Sequence, residues 1–163
     1  MSASKGLFQK YPNPVFVETG SLYGDGIQQA LDEGFKTVYS IELDPLLHIG
    51  VVNRFKDSPN VHLLFGDSGV LLKKVLEEIN EPITFWLDAH MGNKTSPLLN
   101  ELQIIGQHKI KTHSIIIDDL FACSIERFGF DVGTLKEKIT EINSKYTFIL
   151  EDGYMSSILV AKI

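Results

Sequence analysis

Residues Val15 to Pro45 read VFVETGSLYGDGIQQALDEGFKTVYSIELDP, one strand–turn–helix–strand unit. The short apolar run Val15-Phe16-Val17 is that of a strand buried on both faces. It ends in Glu18-Thr19-Gly20, and the turn that follows carries Gly24 and Gly26. Ile27, Ala30 and Leu31 begin a helical apolar stripe. Val38-Tyr39-Ser40-Ile41 forms a second strand, which ends in Glu42. Gly20 lets the chain turn tightly and a ligand approach the backbone, and the next helix offers its unpaired N–H groups beside that turn. An acid about twenty positions further on, closing the next strand, can accept hydrogen bonds from both hydroxyls of a ribose, and Glu42 stands there.

The dinucleotide spacing G-x-G-x-x-G is not met, because Leu22 occupies the second glycine position. The turn instead reads E-x-G-x-x-x-G through Glu18, Gly20 and Gly24. A carboxylate just ahead of the turn repels phosphate and suits a cationic or hydroxylated ligand. S-adenosylmethionine carries an ammonium and a sulfonium and no phosphate. The stretch resembles motif I of class I S-adenosylmethionine-dependent methyltransferases, in particular the metal-dependent O-methyltransferases of the catechol and macrocin (sugar) types. That resemblance implies a donor site made by Glu18, Thr19, Gly20, Ser21 and Gly24, with Glu42 on the ribose and Asp67-Ser68 bordering the adenine.

The remaining chain alternates in the same way. Asp44-Pro45 starts a helix to about Lys56, Asp being a good N-cap and Pro favoured at the first helical position. Val61 to Phe65 is a third strand ending in Gly66-Asp67-Ser68, and a helix follows from about Val70 to Ile79 until Glu81-Pro82 breaks it. Ile83 to Leu87 is a fourth strand ending in Asp88-Ala89-His90. Met91 to Ser96 is a polar loop, and Pro97 opens a helix through about Gly106 with Leu98, Leu102 and Ile105 on one side. Ser114 to Ile117 is a fifth strand ending in Asp118-Asp119. Leu120 to Phe130 reads as irregular or a short turn, and Leu135 to Asn143 as a helix. Tyr146 to Leu150 and Ser157 to Ala161 are closing strands, joined too tightly for a helical crossover and so antiparallel. This predicts an α/β chain, a Rossmann-like seven-stranded methyltransferase fold by resemblance. The sheet is mostly parallel with one antiparallel strand near the C-terminus, and helices lie on both faces. Residues 1–14 are a polar lead-in, and residues 15–163 a single S-adenosylmethionine-binding domain.

A formal charge of −6 argues against nucleic acid as a partner, which would demand a basic footprint. There is no Lys/Arg cluster for a membrane surface and no apolar run long enough to span one. The first residues lack the apolar region of a signal peptide. Cys123 is the one cysteine, so no intrachain disulfide forms, which fits a reducing, cytoplasmic setting.

Ligands of open α/β sheets bind at the carboxyl ends of the strands. There the sequence places Glu18, Glu42, Asp67, Asp88, Asp118 and Asp119, a crowd of like charges that needs a cation or many donors to offset it. Asp67 is equally suited to capping the helix behind it. Asp88, Asp118 and Asp119 end the fourth and fifth strands, and converging hard oxygens suit Mg²⁺. The resemblance implies that these three hold the metal, which activates and orients an acceptor hydroxyl. Asp88 and His90 are the catalytic candidates, His90 as general base and Lys94 as a weaker one. The catechol type carries its Lys where Met91 stands here. Strand-end turns and caps are the plainer reading of Asp88 and of Asp118-Asp119. Trp86, Phe128, Phe130 and Cys123 read as packing residues, and His48, His62, His108 and His113 as surface or structural. The expected partner is a small hydroxylated, sugar-like acceptor, and a second copy of the chain could complete its pocket. The rival readings are a non-catalytic binding subunit and a nicotinamide-dependent oxidoreductase, against which Leu22 speaks.

Overall fold

The computed structural model describes residues 3–89, 96–153 and 157–163. Apolar runs become strands and the polar residues behind them become caps. β1 (Val15–Thr19) leads through the Gly20 turn into α1 (Asp25–Asp32), then β2 (Thr37–Glu42). α2 (Pro45–Arg54) begins where Asp44 accepts the Leu46 and Leu47 N–H groups at 2.8 and 3.0 Å. After β3 (Val61–Phe65), α3 (Ser68–Glu78) starts ahead of its apolar stripe because Asp67 caps it, accepting the Gly69 N–H at 2.8 Å. β4 (Ile83–Leu87), α4 (Leu98–Gln107) and β5 (Ser114–Ile117) follow. The stretch expected to be irregular or a short turn holds a 3-10 turn, Leu120–Ala122, and the one-turn helix α5 (Ile125–Phe128). α6 (Val132–Ile142) again starts early, capped by Asp131, which accepts the Thr134 N–H at 2.8 Å. β6 (Thr147–Asp152) and β7 (Ser157–Lys162) close the chain.

The strands make one sheet in the order β3-β2-β1-β4-β5-β7-β6. Pairing is parallel from β3 through β5, and β7 runs antiparallel to both β5 and β6. This is the architecture expected from the alternation of elements. Crossovers leave β1 and β4 in opposite directions, so a crevice opens at their carboxyl ends.

Period-two alternation splits the core. Val15 and Val17 face a cluster with Leu72 and Leu76 of α3, Leu102 and Ile105 of α4, and Leu135 and Ile139 of α6. Phe16 faces the other cluster, with Ile27 and Ala30 of α1 and Val51 of α2. Trp86 joins this second cluster, a core residue as its alternation suggested. The lead-in is less polar in effect than its composition implies. Leu7 and Phe8 are fully buried, and the Phe8 ring lies 4.7 Å from Phe16 and 5.2 Å from Trp86. Tyr11 Oη donates to Glu151 at 2.6 Å, tying the lead-in to the edge strand β6.

At the amino end of the sheet two buried histidines form a directed chain. The Ile83 N–H donates to His113 Nδ1 at 3.1 Å, so the His113 proton sits on Nε2. That N–H donates to His108 Nδ1 at 3.0 Å, and His108 Nε2–H donates to the Ile79 carbonyl at 3.0 Å. Backbone groups at both ends thus fix both tautomers. Burial, reinforced by His108, pushes His113 down to about 4. Among the described residues no helix is long and apolar enough to cross a membrane.

Candidate functional site

Glu18 lies on the Phe16 face of β1 and is 1% exposed. Ser40, its register partner on β2, donates to Glu18 Oε2 at 2.5 Å, and Ser21 Oγ in turn lies 2.5 Å from Ser40 Oγ. A Cβ added at Gly26 would overlap Glu18 Oε1, so α1 passes directly over the carboxyl. Burial pushes Glu18 up to about 8 against the opposing Ser40 bond, and Asp88 and Glu42 add like-charge repulsion. Near neutral pH Glu18 therefore holds a proton that an approaching cation would displace.

The turn above it is held from two sides. Gly20 has φ +87°, and a Cβ there would stand 2.9 Å from the Asp88 carbonyl oxygen, so the turns after β1 and β4 touch. Leu22 is left-handed with φ +48°, an unusual state for a branched side chain. Its N–H donates to Glu42 Oε2 at 2.9 Å, while Glu42 Oε1 accepts the Asp44 N–H at 2.8 Å. Each oxygen of Glu42 keeps a further lone pair for a ligand hydroxyl. Gly24, also left-handed at φ +82°, caps α1.

Asp67 and Ser68 take up the expected cap of α3, Asp67 exposed and Ser68 buried. Asp67→Ala is expected to cost about 1 kcal/mol as a lost cap, read as a lowered denaturation midpoint. A loss of ligand affinity well beyond that change would mark Asp67 as a contact as well. Behind this cap lies a residue that sequence reasoning passed over. Glu101 of α4 is fully buried, with burial pushing it up to about 7. The signal was available: Glu101 stands on the apolar stripe of Leu98, Leu102 and Ile105, where a charge is out of place.

Asp88, Asp118 and Asp119 come together as expected and line one small cavity with Cys123 and Phe128. Burial, then Asp118 and Asp119, push Asp88 up to about 8. Asp118 Oδ1 accepts the Asp119 N–H at 2.8 Å, and Asp119 is left-handed with φ +53°. Among the described residues no group of three His, Cys, Asp or Glu side chains is disposed to hold a metal ion. His90, Met91 and Lys94 lie outside the described residues. Burial pushes the Cys123 thiol up to about 11, which suits a packing role rather than a nucleophile. Phe130 is buried, and the Arg127 guanidinium lies 5.0 Å from the Phe128 ring centroid, as expected of loop packing.

No family model matches the sequence, and no curated protein matches it either. The fold does match solved structures. The SAH-bound methyltransferase PaMTH1 of Podospora anserina superposes with a TM-score of 0.65 at 14% identity, covering 92% of this chain and 71% of that one. An O-methyltransferase from Bacillus cereus in complex with SAH gives 0.66 at 15% identity, covering 98% and 78%. TomG from Streptomyces achromogenes, an O-methyltransferase involved in tomaymycin synthesis and solved with SAM, gives 0.67 at 12% identity, covering 96% and 76%. At these identities the likeness is one of fold, the one these methyltransferases share.

Proposed function

We propose that this chain is an S-adenosylmethionine-dependent methyltransferase acting on the hydroxyl of a small, sugar-like acceptor. The observation that carries the reading is the acidic pair Glu18 and Glu42 on adjacent strands, flanking a left-handed turn at the β1/β4 crevice. The likeness to structures solved with SAM or SAH supports the same donor. Glu42 accepts from the ribose, Glu18 faces the cationic end of the donor, and Asp67-Ser68 borders the adenine. The acceptor oxygen attacks the methyl carbon as the sulfonium bond breaks, leaving S-adenosylhomocysteine, and the hydroxyl proton passes to a base. Asp88, pushed up to about 8, accepts that proton in its ionised form, whose share grows as pH rises toward 8. His90 shares this role by sequence position.

Metal assistance is a separate proposal about Asp88, Asp118 and Asp119. Mg²⁺ binds through one or two carboxylates and keeps its waters, so it does not require a three-residue cage. When bound it would supply Lewis-acid activation of the acceptor, and no step above is routed through it.

Calorimetric titration with S-adenosylmethionine, S-adenosylhomocysteine and a nicotinamide dinucleotide tests the reading. The two S-adenosyl compounds are expected to bind, and Glu42→Ala to weaken them about ten- to a hundredfold, the worth of one or two charge-assisted hydrogen bonds. Binding of the dinucleotide alone would favour an oxidoreductase. Donor binding without methyl transfer to any polyhydroxylated acceptor, with or without EDTA, would favour a binding subunit.

A further inference from the structure

Glu101 joins three elements that meet under the donor side of the rim. Its carboxyl, 0% exposed, faces the Thr19 hydroxyl at the end of β1 and the Ser68 hydroxyl at the start of α3. Those hydroxyls are near enough to favour its charged form. Yet neither Glu101 oxygen nor Thr19 Oγ1 makes a hydrogen bond of normal geometry. Next to it on α4, Asn100 Nδ2 donates to the Gly69 carbonyl at 2.7 Å, and a Cβ at Gly69 would press to 2.9 Å from that same nitrogen. α4 is thus docked hard against the first turn of α3, with a carboxyl sealed in the joint. An ionised carboxylate with no closed hydrogen bond is costly there, whereas the neutral acid can donate to a hydroxyl. The charged group facing it from α3 is Asp67, which disfavours ionisation further. β1 contributes only Thr19, since Glu18 lies on the opposite face of that strand.

We propose that Glu101 is a positioning residue, a neutral carboxylic acid that holds the end of β1 and the start of α3 at the spacing the donor site needs. The inference deepens the donor reading and rests on it for its purpose, though not for its test. Ionising the acid loosens the joint and, with it, the Gly20 turn and the Asp67-Ser68 cap.

The test is amide exchange of the full chain without ligand, at about pH 6 and about pH 8.5, corrected for intrinsic base catalysis, in the parent, Glu101→Gln and Glu101→Met. The reporting amides are Gly20 and Asp88 at the β1 end, and Gly69, Val70 and Leu71 at the α3 start. Parent protection is expected to fall about tenfold in all between the two values and to level off once the acid is ionised in the fold, above about 7. Glu101→Gln, which keeps a donor and cannot ionise, is expected to lose the part of that fall due to Glu101, read most cleanly at Gly69, Val70 and Leu71, while the part due to Glu18 and Asp88 persists in both proteins. Glu101→Met, which cannot donate, should be loosened at both. The same pH profile in parent and Glu101→Gln, or protection in Glu101→Met equal to that of the parent at the lower pH, overturns the proposal. If the amides behave as expected while no S-adenosyl compound binds, the joint stands and the donor reading alone fails.

Discussion

Gly20→Ala is expected to lower the unfolding free energy by roughly 2–4 kcal/mol and to abolish measurable donor binding. Two penalties combine at this position. A side chain at φ +87° is strained in itself, and the new Cβ would stand 2.9 Å from the Asp88 carbonyl oxygen and 3.3 Å from Ala89 Cα. Both obstacles are backbone, so no rotamer change relieves them, and the turns after β1 and β4 must part. Gly34→Ala provides the control. Gly34 is also left-handed, φ +98°, but has nothing within 4 Å of the added carbon. It should carry the strain alone, about 1 kcal/mol, and leave donor affinity unchanged. Urea denaturation and calorimetry on both variants read the difference, and equal losses would mean that the contact between the two turns does not matter.

His113→Gln is expected to remove an acid-sensitive part of the stability worth roughly 3 kcal/mol in the parent. A neutral amide can accept from the Ile83 N–H and donate to His108, as the imidazole does, but it cannot titrate. In the parent, His113 is pushed from 6.5 down to about 4 in the fold. Between these values the unfolded chain binds more protons than the native one. Stability therefore falls as pH drops through this window, by up to about 1.4 kcal/mol per unit. His108 and Lys111 face His113 and disfavour its protonation. Glu18, Asp88 and Glu101 act with the opposite sign. Each is pushed up in the fold, so the native state holds protons that the unfolded chain has released, and their contribution grows as pH falls toward 4.5. The parent curve is thus a sum of opposed slopes, and subtracting the His113→Gln curve isolates the imidazole. Parallel curves would mean that His113 titrates alike in both states.

Apolar periodicity and turn residues made the sheet legible. Ile83 to Leu87, Val61 to Phe65 and Ser114 to Ile117 have the bounds that their apolar runs predict. Helix starts were less legible, because caps act ahead of the apolar stripe: Asp67 and Asp131 each begin a helix before its first buried leucine. The acids of the rim could be read from strand ends, since a parallel sheet delivers all of them to one edge. What one strand does to another's side chain could not be read. Ser40 meets Glu18 through parallel register, and Glu42 meets Leu22 through a left-handed turn, both set by long-range geometry. The histidine chain is hidden for the same reason. His108 and His113 carry no periodic signature, and their meaning lies in backbone groups at Ile79 and Ile83.

Leu22 already has a backbone that glycine would adopt freely. A single substitution to glycine would write the G-x-G spacing into this turn without moving the main chain. Its isobutyl group, the acid beneath the turn and Asp25 at the third glycine position then stand between the crevice proposed for a sulfonium and one open to a diphosphate.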